Sequence, residues 1–191
     1  MAGATKIPSG PCVVTTELPV GYRWHMDFTC FNKRSIRSSI ASLTIIDAIS
    51  RMTFEFLCSN KHPTIDIVGY FFAPIKKQEL SCICARMDEC DELEKSEEFM
   101  KFLHDALQVA VQNTGGDAFN INGMADAPHK MIKETTRALL INAAVLDKFW
   151  CFVMQCTIFL IINTVFSVTK HLLIQHFSGG RKTLPPSKVL I

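Results

Sequence analysis

The clearest pattern in the chain is an alternation of apolar and polar residues over residues 22–30, which with Phe31 marks out residues 22–31. One face would carry Tyr22, Trp24, Met26, Phe28 and Cys30. The other would carry Arg23, His25, Asp27 and Thr29. A period of two predicts a half-buried strand. Lys33, Arg34 and Arg37 follow at once with no acid among them, so the strand is predicted to lead into a basic turn at residues 32–37.

Further patterns predict alternating strands and helices downstream. Ser38 or Ser39 is suited to N-cap a helix that runs to about Met52, with an apolar stripe at Ile40, Leu43, Ile46 and Ile49. Strands are predicted at residues 54–58, 64–73 and 80–87, and amphipathic helices at residues 99–110 and 126–147. Gly115 and Gly116 are expected to end the first of these helices, and residues 117–126 to form a loop.

Together these elements predict a single α+β domain in which an antiparallel sheet packs against two or three helices. A length of 191 residues suits one domain with its own core. Residues 1–20 are rich in proline, glycine, serine and threonine, which predicts a flexible N-terminal arm. The core is predicted at residues 21–177, and a basic C-terminal tail at residues 178–191.

The longest apolar segment, residues 149–169, contains 21 residues and no charge. At about 1.5 Å per residue it is long enough to span a bilayer. Six polar uncharged residues interrupt it, which is unusual for a membrane anchor. Two interpretations stay open. One is a buried core segment, which we favour. The other is a C-terminal membrane anchor.

Candidate catalytic and metal-binding residues form no convincing set. Without an apolar leader, the eight cysteines are expected to stay reduced. Their spacing fits zinc poorly, because no CxxC pair occurs around the candidates Cys82, Cys84, Cys90 and His104. Proximity of Cys58, His62 and Asp66 along the chain is no evidence for a catalytic triad. No nucleophile elbow or phosphate-binding glycine loop occurs. We therefore predict that the protein is not an enzyme and carries no metal or cofactor.

Basic residues are the remaining candidate site. They lie in predicted loops around an apolar body, at Lys33, Arg34, Arg37, Lys61, Lys76, Lys77, Arg181 and Lys182. Such a surface suits polyanions, either RNA phosphates or anionic lipid headgroups. No RNP-type aromatic motif is present, so RNA would be bound without sequence specificity.

The order of segments resembles the core of a rhabdovirus matrix protein, in particular a plant-infecting, cytorhabdovirus-like one. The resemblance covers about residues 21–112. Its stretches are YRWHMDFTCF, NKRSIRSS, SIASLTIIDAISRM, NKHPTIDIVGYFFA and ELSCICARMDECDELEKSEEFMKFLHDAL. No budding motif carries over, because Pro185 and Pro186 are not followed by the tyrosine of PPxY.

This resemblance implies a structural protein of the virion that also occurs in the host cytoplasm and at membranes. It would self-associate into homo-oligomers, condense the viral nucleocapsid, and link that nucleocapsid to the inner face of an anionic membrane. The alternative is a tail-anchored viral accessory or movement factor whose anchor is residues 149–169.

Overall fold

The structure, a computed structural model, describes residues 19–60, 62, 65–77, 84–88, 93, 96–114 and 119–164. Within these ranges only the backbone is described at residues 73–77, 88, 113–114 and 119–127. The predicted arm up to residue 18, Gly115 and Gly116, and the basic tail lie outside the described residues.

A five-stranded sheet with the strand order β3-β2-β1-β4-β5 forms the centre of the molecule. Its strands are β1 (Arg23–Cys30), β2 (Ala41–Asp47), β3 (Thr53–Cys58), β4 (Cys84–Asp88) and β5 (Ala110–Thr114). The first three strands are antiparallel neighbours, whereas β4 runs parallel to β1 and β5 runs parallel to β4. The α+β class is confirmed, but the sheet is mixed, so the prediction of a purely antiparallel sheet is wrong.

The described helices number four rather than the predicted two or three. They are α1 (Ile65–Lys77), α2 (Glu97–Lys101), α3 (Phe119–Asn142) and α4 (Trp150–Ile162). A π-helical turn (Phe102–Ala106) continues α2, and a 3₁₀ turn (Asp147–Phe149) precedes α4. The predicted helix at residues 99–110 is therefore shorter, since β5 begins at Ala110. The predicted loop at residues 117–126 is largely the start of α3.

One face of the sheet is aromatic and packs against α1. Trp24 of β1 contacts Phe71 edge-on, with 5.1 Å between the ring centroids, and Phe71 contacts Phe54 of β3 at 4.9 Å. Trp24 and Phe72 are fully buried. Edge-to-face pairs of this kind add to the free energy that burial of the rings supplies. This face is the main apolar core of the domain.

The opposite face of the sheet carries polar side chains and is covered by α3 and α4. The Ser42 hydroxyl of β2 donates to the sulfur of Met154 in α4 at 3.5 Å. Between the two helices, Thr136 Oγ1 donates to Thr157 Oγ1 at 3.1 Å. Both hydroxyl groups are buried, and hydrogen bonding offsets the cost of removing them from water.

Two predicted elements have the wrong type. The predicted helix at residues 39–52 is strand β2 and a turn. All seven β2 residues are buried. Residues 41–45 alternate, but the alternation ends at Ile45 and Ile46, and the apolar residues also fit helical spacing. The predicted strand at residues 64–73 is part of α1. There Val68, Phe71 and Phe72 point to the core with helical spacing, while Tyr70 is 70% exposed.

The described part of the long apolar segment is α4 and the turn after it. Met154 and Ile158 lie on its buried face, whereas Phe159 and Leu160 are about half exposed. The core interpretation therefore holds for α4, although the segment is a helix and adds no strand to the sheet. Among the helices that the structure describes, none combines the length and apolar character needed to cross a membrane.

Candidate active site

Asp27 is the acidic residue on the polar face of β1. In the register of the sheet it lies opposite Thr44 of β2, which is fully buried. The Asp27 side chain is 39% exposed, so its carboxylate lies at the border between the covered face and solvent. A carboxylate in this position is held by the strand and still accessible to a ligand.

A second acid, Asp88, ends the neighbouring parallel strand. The register of β1 and β4 pairs Arg23 with Cys84 and His25 with Arg86. The same register extended by two residues places the backbone of Asp88 level with that of Asp27. Adjacent strands lie about 4.8 Å apart. Ligands of sheets with parallel strands commonly bind beyond the carboxyl ends of those strands, which is where Asp88 lies.

Helix α3 carries a third acidic position close to the residue that contacts Asp27. His129 of α3 is buried, and its Nδ1 lies 3.8 Å from Oδ2 of Asp27. Asp126 precedes His129 by three residues, and residues three apart share one face of an α-helix. The two positions are about 4.5 Å apart along the helix axis. Asp27 and Asp88 are therefore level on adjacent strands, and Asp126 lies about one helical turn before the α3 residue that contacts Asp27.

Two titratable groups on the polar face have pKa values that are shifted in favour of their neutral forms. Burial, followed by the charge of Arg86, lowers the pKa of His25 to about 3, so this imidazole is neutral at physiological pH. Burial raises the pKa of Glu55 on β3 to about 8, so its carboxyl is largely protonated there. His25 and Glu55 on the polar face are therefore both largely uncharged at physiological pH.

The donor chemistry of these three positions suits a hard divalent cation. Carboxylate oxygens are the ligands that Mg²⁺ prefers, and Mg²⁺ is usually held by one or two carboxylates together with substrate phosphates. The described side chains include no cluster of three His, Cys, Asp or Glu residues, but those of Asp88 and Asp126 are not among them. The exposed carboxylate of Asp27 fits such an ion.

The side chains of only three of the predicted basic residues are described, so the predicted basic surface stays a prediction. Lys33, Arg34 and Arg37 lie in the turn after β1, as predicted, and all three are exposed. Lys76 and Lys77 are the last two residues of α1, where a turn after a strand was predicted. Lys61, Arg181 and Lys182 lie outside the described residues.

The thiol and imidazole candidates gain no support as reactive or zinc-binding sites. The buried thiol of Cys58 donates to the carbonyl of Phe56, and His62 is exposed. Cys84 is buried in β4, whereas His104 is exposed beside Asp105. Cys82 and Cys90 lie outside the described residues. Buried thiols of this kind are typical structural cysteines.

The sequence alone did not identify Asp27, Asp88 and Asp126 as parts of one site. Asp27 was assigned only to the polar face of its strand, Asp88 to an acidic run, and Asp126 to the start of a helix. The available signal was an aspartate at the centre of one well-patterned strand and another at the end of a later strand. Their meeting depends on the parallel pairing of β1 with β4, which no local pattern reveals.

Solved structures of integrase catalytic core domains have a similar fold. A structure of the HTLV-2 integrase catalytic core domain in complex with magnesium superposes with a TM-score of 0.59 at 12% identity, covering 82% of this chain and 96% of that one. The catalytic core domain of BIV integrase gives a TM-score of 0.59 at 11% identity, with coverages of 83% and 95%. No family model and no curated protein matches the chain.

These neighbours correct one expectation and leave others untouched. The prediction that the protein is not an enzyme is contradicted, because the solved structures that share its fold are catalytic core domains. The resemblance to a matrix protein stays a prediction, as do its partners and its location, since the fold of these neighbours does not bear on them.

Proposed function

We propose that the protein is a metal-dependent phosphoryltransferase that acts on the phosphodiester bonds of nucleic acids, in the manner of an integrase catalytic core. The observation that carries this proposal is the alignment of Asp27 and Asp88 on adjacent parallel strands, with His129 of α3 against Asp27. Support comes from the integrase cores that share the fold, one of them solved with magnesium.

Asp27 and Asp88 would hold the cation, and Asp126 would complete the set from α3. Bound Mg²⁺ supplies charge neutralisation at the phosphoryl oxygens and activation of the attacking hydroxyl or water. Strand β1 fixes the backbone of Asp27, and Nδ1 of the buried His129 lies 3.8 Å from its carboxylate oxygen Oδ2. The Asp27 side chain is 39% exposed, so a phosphate could reach its carboxylate.

The test is a strand-cleavage and strand-joining assay on duplex DNA with Mg²⁺, using the full chain. Asp27→Asn and Asp88→Asn keep the size of the side chain and remove its charge. Each should lower the rate by more than the roughly 10–100-fold that loss of an outer-shell partner costs. Asp66→Asn is the matched control, because Asp66 is exposed in the first turn of α1 and should leave the rate unchanged.

Two results would reject the proposal. One is wild-type activity in Asp27→Asn or Asp88→Asn. The other is a wild-type protein that, while folded, neither binds Mg²⁺ by calorimetry nor processes DNA. Asp126→Asn tests the third position separately, and an active Asp126→Asn variant would restrict the site to the two strand carboxylates.

A further inference from the structure

The turn after β1 is held in one conformation by its own hydrogen bonds. The buried Ser35 hydroxyl accepts from the backbone N–H of Arg37 at 3.2 Å and from that of Ser39 at 3.0 Å. The Ser39 carbonyl accepts from Ser35 N–H at 2.8 Å. Arg34 Nη1 donates to the Ser38 carbonyl at 2.7 Å. The turn therefore presents its charges from a fixed backbone.

The same turn is packed on the corner between α3 and α4. The rings of Phe31 and Trp150 stack with 3.7 Å between centroids and an interplanar angle of 10°. Trp150 Nε1 donates to the Lys33 carbonyl at 2.9 Å, and Ile36 N–H donates to the Lys148 carbonyl at 2.7 Å. These contacts connect residues more than 100 positions apart in the chain. The turn is thus part of the folded domain.

Four cations surround this corner. Lys33, Arg34, Arg37 and Lys148 are exposed, and Asp147 is the acid beside them. Lys33 is paired with Asp147. The Arg37 guanidinium lies over the Phe152 ring, 4.7 Å from its centroid, which fixes the plane of that group and leaves its edge free to donate. Guanidinium groups held in this way suit bidentate binding of phosphate oxygens.

The turn also follows the carboxyl end of β1, and Asp88 lies at the carboxyl end of the parallel neighbour β4. Four strand residues, or roughly 13 Å, separate Asp27 from Phe31 at the start of the turn. Lys33 is two residues farther, so its backbone is at most about 20 Å from Asp27. Successive phosphates of one DNA strand advance by about 3.4 Å along the duplex axis. The turn is therefore within reach of a duplex whose scissile phosphate is at Asp27.

We infer that this docked turn, with Arg34 and Arg37 as its principal contacts, binds the phosphate backbone of the substrate duplex about four to six nucleotides from the reacting phosphate. The inference rests on the proposed function, because that function places the reacting phosphate at Asp27. The binding is independent of base sequence and serves to set the direction in which the duplex leaves the site.

The experiment measures binding of the full chain to fluorescent duplex DNA between about 50 and 200 mM salt. Removal of one cation that binds a phosphate should reduce the slope of log K against log salt by about 0.9, so Arg34→Gln/Arg37→Gln should reduce it by about 2. Affinity at the lowest salt should fall about tenfold or more. Arg34→Lys/Arg37→Lys keeps both charges and should keep the slope. Lys101→Gln, an exposed cation on α2, is a further control.

A variant with the opposite effect sharpens the test. Asp147→Asn removes the partner of Lys33 and should steepen the salt dependence by about 1. Thermal melts should match the wild type in all of these variants, because each changed side chain is exposed. An unchanged salt slope in Arg34→Gln/Arg37→Gln overturns the inference. So does a loss of binding to phosphatidylserine vesicles without a loss of DNA binding, which would assign the turn to a membrane.

Failure of this inference is distinguishable from failure of the proposed function. If the turn is only a binding surface, Arg34→Gln/Arg37→Gln at saturating DNA should still cleave, whereas Asp27→Asn should bind DNA with the wild-type salt slope and not cleave. A binding defect confined to Asp27→Asn would contradict the assignment of the turn, and cleavage by Asp27→Asn would contradict the assignment of the carboxylates.

Discussion

The two faces of the central sheet differ in what they bury. Against α1 the sheet presents Trp24 and Phe54, which pack edge-on against Phe71. Against α3 and α4 it presents Thr44, Glu55 and other polar groups, although helices cover this face as well. Burial of polar groups is unfavourable unless they are hydrogen-bonded. The comparison indicates that one face supplies most of the apolar stabilisation, while the other buries the polar groups among which Asp27 lies.

The largest expected effect concerns the helix that covers the polar face. Ile158 of α4 is 3% exposed, whereas Leu160, two residues later, is 49% exposed. Ile158→Asp removes apolar burial and places an unpaired charge in the core, which should cost more than about 5 kcal/mol and unfold the domain. Leu160→Asp should change the free energy of unfolding by less than about 0.5 kcal/mol.

Denaturant titrations of the two α4 variants measure this difference. Equal stability of Ile158→Asp and Leu160→Asp would mean that α4 does not cover the polar face. In that case the face against α1 would be packed, whereas the polar face would be open to solvent.

The next largest effect is expected when one β1 residue from each face, Trp24 and Asp27, is substituted. Trp24→Ala should lower the free energy of unfolding by about 3–5 kcal/mol, because a fully buried aromatic side chain is removed. Asp27→Asn should leave it nearly unchanged, since its side chain is partly exposed and keeps its shape. Chemical denaturation measures both, with Tyr70→Ala as the exposed aromatic control. A larger loss of stability in Asp27→Asn than in Trp24→Ala would reverse the roles assigned to the faces.

The smallest effect is a pH dependence that arises on the polar face. Burial raises the pKa of Glu55 from 4.5 to about 8 in the folded chain. The folded state therefore holds a proton that the unfolded state has released, and the stability that Glu55 contributes is complete below about pH 4.5 and is lost as the pH rises through 8. Glu55→Gln should flatten this decline.

The measurement belongs between pH 6.5 and 9, with melting temperatures of wild type and Glu55→Gln side by side. His25, whose pKa is lowered to about 3, affects stability in the opposite direction and chiefly below pH 6.5, so it does not interfere there. If the melting temperatures of the two proteins change with pH in parallel, burial does not keep the Glu55 carboxyl protonated.

Local pattern predicted several parts of this protein correctly. The alternation at residues 22–31 predicts β1, and it assigns Trp24 and Asp27 to opposite faces, as observed. The cation-rich turn after β1 was also predicted, as were β3 and the α+β class. The strand is predicted from alternation between adjacent residues, and the turn is predicted from cations that are clustered in the sequence.

Tertiary structure decided the rest, because the deciding contacts are remote in sequence. The apolar residues of β2 fit helical spacing as well as a strand, and only pairing with β1 and β3 decides between the two. Helix α1 forms despite its β-branched and aromatic residues because Val68, Phe71 and Phe72 meet the core at helical spacing. The candidate site has the same origin. Asp27 could be placed on a strand face from the sequence alone, but its alignment with Asp88 follows from parallel pairing across 61 residues. The position of α3 beside Asp27 follows from the tertiary contact that His129 makes.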